Sequence, residues 1–149
     1  MRVLLVHGPN LNRLGSRNPS VYGTATLHEL VHAVTEKARD RGLEVFAFQS
    51  NHEGALIDWL QEKSASADAI IINPGGLAHS SVALRDALED TGLIVVEVHL
   101  SDPSSREDFR QAMVTATAAS KVIAGQGAAG YFEAVDFIAD SRRLAGENS

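Results

Sequence analysis

Three short stretches of this chain hold side chains able to move a proton or grip an anion. The first, Gly8 to Gly23, carries Asn10, Arg17 and Tyr22: a polar amide, a permanent cation and an ionisable phenol. The second, Glu97-Val98-His99-Leu100-Ser101, sets a carboxylate two residues from an imidazole, on one face if the backbone is extended. A carboxylate so placed orients the ring and makes it a usable acid near neutrality. The third, Asn73-Pro74-Gly75-Gly76-Leu77-Ala78-His79-Ser80-Ser81, joins glycines that allow close backbone approach to serines suited to capping a helix. Further on, Arg106 and Arg110 are one helical turn apart and could face the same anion. Each residue also has a plainer use: Arg17 and Tyr22 as solvated surface groups, Asn73 as a loop-bracing amide. Taken together, the set suits proton abstraction beside a carbonyl, with an anionic substrate held by arginine and backbone amides. There is no cysteine, which excludes thiolate chemistry, and the histidines and serines form no convincing triad.

Elements that would position these groups follow from the hydrophobic pattern. Val3 to Val6, Leu43 to Phe48, Ala69 to Ile72, Leu93 to Val98 and Val122 to Ala124 read as five buried strands. Their near-continuous apolarity suits a parallel sheet covered on both faces. Leu27 to Arg41, Glu53 to Ser66, Ser80 to Thr91 and about Ala129 to Leu144 read as helices. The first of these shows an apolar stripe of Leu27, Leu30, Val31, Val34 and Ala38. Right-handed crossovers then predict an α/β, flavodoxin-like three-layer sandwich with strand order 2-1-3-4-5. Ligands bind such sheets beyond the carboxyl ends of the strands, so the loops after Val6, Ile72 and Val98 should carry the site. The connection after the first strand is far longer than the usual two to six residues, as lids and binding segments are. The chain reads as one domain over residues 1–149, with a frayed polar tail from Gly146 to Ser149.

Composition bounds the partners. The chain has 149 residues, 44% hydrophobic and 21% charged, and a formal net charge of -6 without like-charge runs. That balance argues against nucleic acid or an anionic membrane, both of which reward basic patches. The opening apolar run is too short for a signal segment or a membrane span, and the lack of cysteine fits a reducing compartment. A cytoplasmic location is expected.

Two motif matches are set aside. His28-Glu29-Leu30-Val31-His32 fits the HExxH zinc pattern, but both histidines lie beside the apolar stripe and no third ligand has a recognisable spacing. Thr26-x-x-Glu29 reads instead as a capping box. Gly125-Gln126-Gly127-Ala128-Ala129-Gly130 fits GxGxxG, yet too little chain follows for the second strand and acidic residue of a dinucleotide site. A tight strand-to-helix turn explains the glycines better. A flavodoxin-like nucleotide module is likewise disfavoured, because its phosphate loop should be a compact Gly/Ser/Thr turn.

Eight blocks in order resemble the type II 3-dehydroquinate dehydratases over nearly the whole chain. They are Gly8-Pro9-Asn10-Leu11-Asn12 with Leu14-Gly15, Pro19-x-x-Tyr22-Gly23, Gln49 to Gly54, Asn73-Pro74-Gly75, His79 to Ala87, Glu97 to Ser101, Arg106-Glu107-x-Phe109-Arg110 and Gly125-x-Gly127-x-x-Gly130-Tyr131. The resemblance implies a cofactor-free, metal-free lyase that removes water from 3-dehydroquinate by anti elimination through an enolate, giving 3-dehydroshikimate. The reaction would serve the shikimate route to aromatic amino acids or quinate breakdown.

By the same resemblance Tyr22 is the general base, used as tyrosinate with help from Arg17, and Asn10 helps stabilise the enolate, through a bound water. His99 donates the proton to the departing C1 hydroxyl, oriented by Glu97. Asn73, His79, Arg110 and the amides of Leu100 and Ser101 bind substrate. Asp86 also belongs to the binding set, as a residue used across a subunit contact, which implies a homo-oligomer, a dodecamer built from trimers. A free tyrosine, with a pKa of about 10, is ionised to only about one part in a thousand at pH 7, so this role demands a close cation. Three features depart from the family pattern: Ala78 where a hydroxyl residue is usual, Ser101-Asp102-Pro103, and the poorly matching segment Gln111 to Ser120.

Overall fold

The structure, a computed structural model, describes residues 1–147. Five parallel strands, β1 (Arg2–His7), β2 (Glu44–Gln49), β3 (Ala69–Asn73), β4 (Ile94–His99) and β5 (Lys121–Ala124), form one sheet in the order β2-β1-β3-β4-β5. Helices α2 (Leu27–Asp40) and α5 (Ala129–Glu147) cover one face, and α3 (Glu53–Lys63) and α4 (Val82–Asp90) cover the other. A one-turn helix, α1 (Pro19–Tyr22), sits within the long connection after β1.

Alternation along each central strand explains the unbroken apolar runs. Val3 and Leu5 of β1, with Ile71 of β3, pack on Leu30, Val34 and Ala38 of α2 and on Val135 and Ile138 of α5. Leu4 and Val6, with Ile70 and Ile72, pack on Leu56 and Leu60 of α3 and on Leu84 and Leu88 of α4. Successive side chains point to opposite faces, and both faces are covered, so every position must be apolar.

The edge strands depart from the expectation of five buried strands. On β2, Phe46 is 38% exposed, and on β5, Val122 is 42% exposed. An edge strand has a neighbour on one side only, and the helix layers do not reach fully across it. Of the predicted helices, the one expected from Ser80 begins at Val82. Ser81, not Ser80, caps it, its hydroxyl accepting the Leu84 N–H at 2.9 Å. Thr26 caps α2 by accepting the Glu29 N–H at 3.1 Å, but the return bond of a capping box is altered. The Glu29 carboxylate accepts from the Thr26 hydroxyl rather than from its backbone N–H. The polar tail expected from Gly146 is helical through Glu147, and its last two positions, 148 and 149, lie outside the described residues. Among the described residues no helix is long and apolar enough to cross a membrane.

At the carboxyl end of the sheet the loops after β1 and β3 press together. The Gly8 N–H donates to the Asn73 carbonyl at 2.8 Å, and a Cβ on Gly8 would stand 2.2 Å from the Pro74 carbonyl oxygen. No side chain fits there, which is why position 8 is glycine. The β1 connection is pinned from within by Leu11 and Leu14, both buried, and Arg17 and Tyr22 follow on that anchored base.

Candidate active site

A cleft opens beyond the carboxyl ends of β1, β3 and β4. The three loops expected to carry the site all contribute: Arg17 and Tyr22 after β1, Asn73 and His79 after β3, His99, Leu100 and Ser101 after β4. Arg106 and Arg110 complete its wall.

Tyr22 reaches the cleft from α1 and meets two guanidinium groups. Arg17 lies 4.3 Å from the ring centroid, over the aromatic face. Arg106 donates from Nη1 to the phenol oxygen at 2.9 Å. The family resemblance pairs Tyr22 with Arg17 alone; the structure brings Arg106 to the oxygen and Arg17 to the ring. Arg106 and Arg110 do not share a helix as their spacing predicted. Pro103 and the extended backbone at Arg106 break this stretch into two 3-10 turns, Pro103–Ser105 and Asp108–Arg110. Both arginines nonetheless line the same cleft. Glu107 lies between them, accepting from Arg110 Nε at 2.6 Å. Its own backbone N–H and the Arg110 guanidinium hold its carboxyl below the usual range.

His99 ends β4 with its ring turned back on Glu97. The two side chains share one strand face, as their spacing required, and His99 Nε2 donates to Glu97 Oε2 at 2.8 Å. That leaves Nδ1 for the cleft. Glu97 is fully buried, and its other oxygen accepts from the Thr115 hydroxyl. A buried carboxylate needs such donors, since an unpaired charge there would be costly. His79 is fixed in a similar way, Nδ1 donating to the Ala112 carbonyl at 2.8 Å. Thus the divergent segment 111–120 braces both cleft histidines from behind. Nothing in its sequence announced that role.

Asn73 is both brace and lining. Its Oδ1 accepts the Gly75 N–H at 3.1 Å and its Nδ2 donates to the Tyr131 hydroxyl at 3.1 Å. One amide proton and one oxygen lone pair remain for the cleft. The glycine turn after β5 grips the loop after β4: the Gly125 N–H donates to the His99 and Ser101 carbonyls, and the Gly127 N–H to Leu100. Among the described residues, the Leu100 and Ser101 amides have no acceptor within the protein, so they are available to an anion.

Two expected residues are placed elsewhere. Asn10, exposed and at φ 72°, borders an adjoining hollow with Arg13, Ser16 and Arg17 rather than the cleft. Asp86 lies on the exposed side of α4, paired with Arg85 at 3.0 Å. α4 turns Leu84, Ala87 and Leu88 to the core, which sends Asp86 outward. Lysine is missing from the wall as well: Lys37, Lys63 and Lys121, the three in the chain, pair with Asp136, Glu62 and Glu133 on other surfaces.

A phenol between two guanidiniums, in one cleft with an imidazole backed by a buried carboxylate, is an arrangement suited to acid–base chemistry. Residues 1–139 match the model of the family described as dehydroquinase class II. The chain belongs to that family. A 3-dehydroquinate dehydratase of Herminiimonas arsenicoxydans is 54% identical over 136 residues, 91% of this chain and 94% of that one. The crystal structure of the type II dehydroquinase from Butyrivibrio crossotus superposes with a TM-score of 0.90 at 42% identity, covering 93% of this chain and 97% of its own. The type II dehydroquinase of Propionibacterium acnes gives the same TM-score at 34% identity, covering 93% and 96%. The sheet is of the five-stranded flavodoxin-like kind, and the cleft lies at the switch point between β1 and β3.

Proposed function

We propose that the cleft dehydrates 3-dehydroquinate to 3-dehydroshikimate by anti elimination through an enolate. The observation that carries this reading is the placement of Tyr22, bound by Arg106 and stacked by Arg17, in one cleft with the Glu97–His99 pair. Tyr22, as phenolate, takes the proton from the ring carbon beside the ketone. Two positive charges border that phenolate and hold it in place. The electron pair moves onto the ketone oxygen, and the polar groups around it, already oriented, lower the barrier without reorganising. Asn10 assists through a bound water reached from the hollow it shares with Arg17.

The enolate then expels the C1 hydroxyl, which His99 protonates from Nδ1 while Glu97 holds Nε2. His79, Asn73, Arg110 and the amides of Leu100 and Ser101 bind the hydroxyls and carboxylate. The conjugated enone product absorbs in the near ultraviolet, so turnover is read directly. Purified protein with EDTA should produce that absorbance from 3-dehydroquinate. No product beside a working control enzyme would defeat the assignment.

We also propose that the enzyme works as a homo-oligomer, a dodecamer built from trimers. Asp86 supports this reading: it stands on the exposed face of α4, outside its own cleft, free to border a neighbouring subunit's site. Light scattering on the purified enzyme measures the mass, and a monomer at assay concentration would remove this part of the proposal.

A further inference from the structure

Beneath the cleft two buried polar residues that the proposed chemistry does not use, His7 and Tyr131, join Asn73 in one polar chain. His7 ends β1 and Asn73 ends β3, paired across the parallel ladder. Tyr131, in the first turn of α5, slides beneath both ends and is fully buried. Its hydroxyl lies 3.0 Å from His7 Nε2 and 3.1 Å from Asn73 Nδ2, and its ring stacks on the imidazole with centroids 5.6 Å apart.

The bonds at Asn73 each run one way. The Gly75 N–H can only donate, so Asn73 must present Oδ1 to it and Nδ2 to Tyr131. The Tyr131 oxygen therefore accepts from Asn73, and its own proton is left for His7 Nε2, 3.0 Å away, when the imidazole carries its proton on Nδ1. That pairing goes with a neutral His7. Burial agrees, pushing the imidazole down to about 4.

We propose that Tyr131 and His7 are positioning residues for the dehydration, acting through Asn73. This rests on the reading of the cleft as the dehydroquinate site. The terminal torsion of an asparagine is broad, so one hydrogen bond does not settle which way its amide faces. Asn73 has two: Gly75 fixes the oxygen and Tyr131 fixes the nitrogen. The remaining proton and lone pair are thereby aimed at the substrate with one polarity. A position that needed only volume would be filled by phenylalanine, without the expense of burying a hydroxyl and an imidazole.

The test is a set of variants assayed for kcat and KM on 3-dehydroquinate, with folding followed by circular dichroism. Tyr131→Phe keeps the ring and removes the hydroxyl, and kcat/KM should fall roughly ten-fold, the effect of one neutral hydrogen bond. In an Asn73→Ala background the same change should add no further loss, because the group it aims is gone. His7→Gln retains an acceptor near Nε2 and should stay within about three-fold of wild type, whereas His7→Leu should fall as far as Tyr131→Phe. Wild-type kcat/KM in Tyr131→Phe, or a double variant losing the product of both single losses, overturns the proposal. Should Tyr131→Phe not fold, the His7 pair decides: equal losses in His7→Gln and His7→Leu reject the positioning role. Inactive wild-type enzyme would instead reject the reading of the cleft, a separate result.

Discussion

Arg106 Nη1 stands 2.9 Å from the Tyr22 phenol oxygen while the Arg17 guanidinium lies over the same ring at 4.3 Å from its centroid. One cation meets the oxygen end-on and the other meets the ring face-on. Because both act on one group, their contributions should not be independent. Arg17→Ala and Arg106→Ala should each lower kcat at least ten-fold, the scale of a lost charged hydrogen bond. The double variant should lose clearly less than the product of the two. Fully multiplicative losses in steady-state assays would show that the arginines serve different groups.

Tyr22→Phe leaves the ring for Arg17 to stack on and removes only the oxygen. Turnover should disappear almost entirely while a substrate analogue still binds, measured by calorimetry. A near-normal kcat would place the base elsewhere.

Among the described residues no lysine borders the cleft, so an imine with the substrate ketone has no lysine amine to form from. Borohydride added with substrate should therefore leave the enzyme active and its mass unchanged. A covalent adduct on Lys37, Lys63 or Lys121 by mass spectrometry would contradict the enolate route.

Thr115 donates to the buried carboxylate that orients His99. Thr115→Val preserves shape and deletes the donor, leaving one Glu97 oxygen without a partner. Stability should drop by about 1–3 kcal/mol, and kcat should fall several-fold with little change in KM. Urea unfolding and kinetics on the same preparation check both, and unchanged values in each would show that Thr115 does not support the pair.

Burial sets the pH limits of the fold at His7 and Tyr131. The His7 imidazole, ordinarily at 6.5, is lowered to about 4 by desolvation. Below about 6.5 the unfolded chain takes up a proton that the native state refuses until about 4. Stability therefore falls as pH drops through that window, by about 3 kcal/mol in all. Tyr131 is raised above its ordinary value of 10.0 by burial, so above that pH the unfolded chain ionises first and stability falls again. Comparing urea midpoints of wild type and His7→Gln between pH 4 and 8 isolates the histidine. A constant difference across the range would mean that His7 titrates normally in the fold.

Local pattern carried much of this protein. The apolar runs at Val3 to Val6 and Ala69 to Ile72 are long enough, and featureless enough, to imply strands covered on both faces. The three loops that bear the site follow from that sheet. Glu97 and His99 were readable as a pair because strand geometry alone puts alternate residues on one face. Leu43 to Phe48 and Val122 to Ala124 read as buried too, and the exposure of Phe46 and Val122 shows how far the helix layers stop short of the two edges.

What the sequence by itself determined was chemistry that depends on short range: the strands, the α2 cap, the two-residue spacing of acid and orienter, and the family. Tertiary structure alone decided which arginine meets the Tyr22 oxygen, what closes around Glu97, and why Tyr131 is a tyrosine. Those contacts join residues 84, 18 and 58 positions apart. Spacing along a chain has no periodic signature at such separations, because the folding of the sheet and its loops, not the local backbone, brings the partners together.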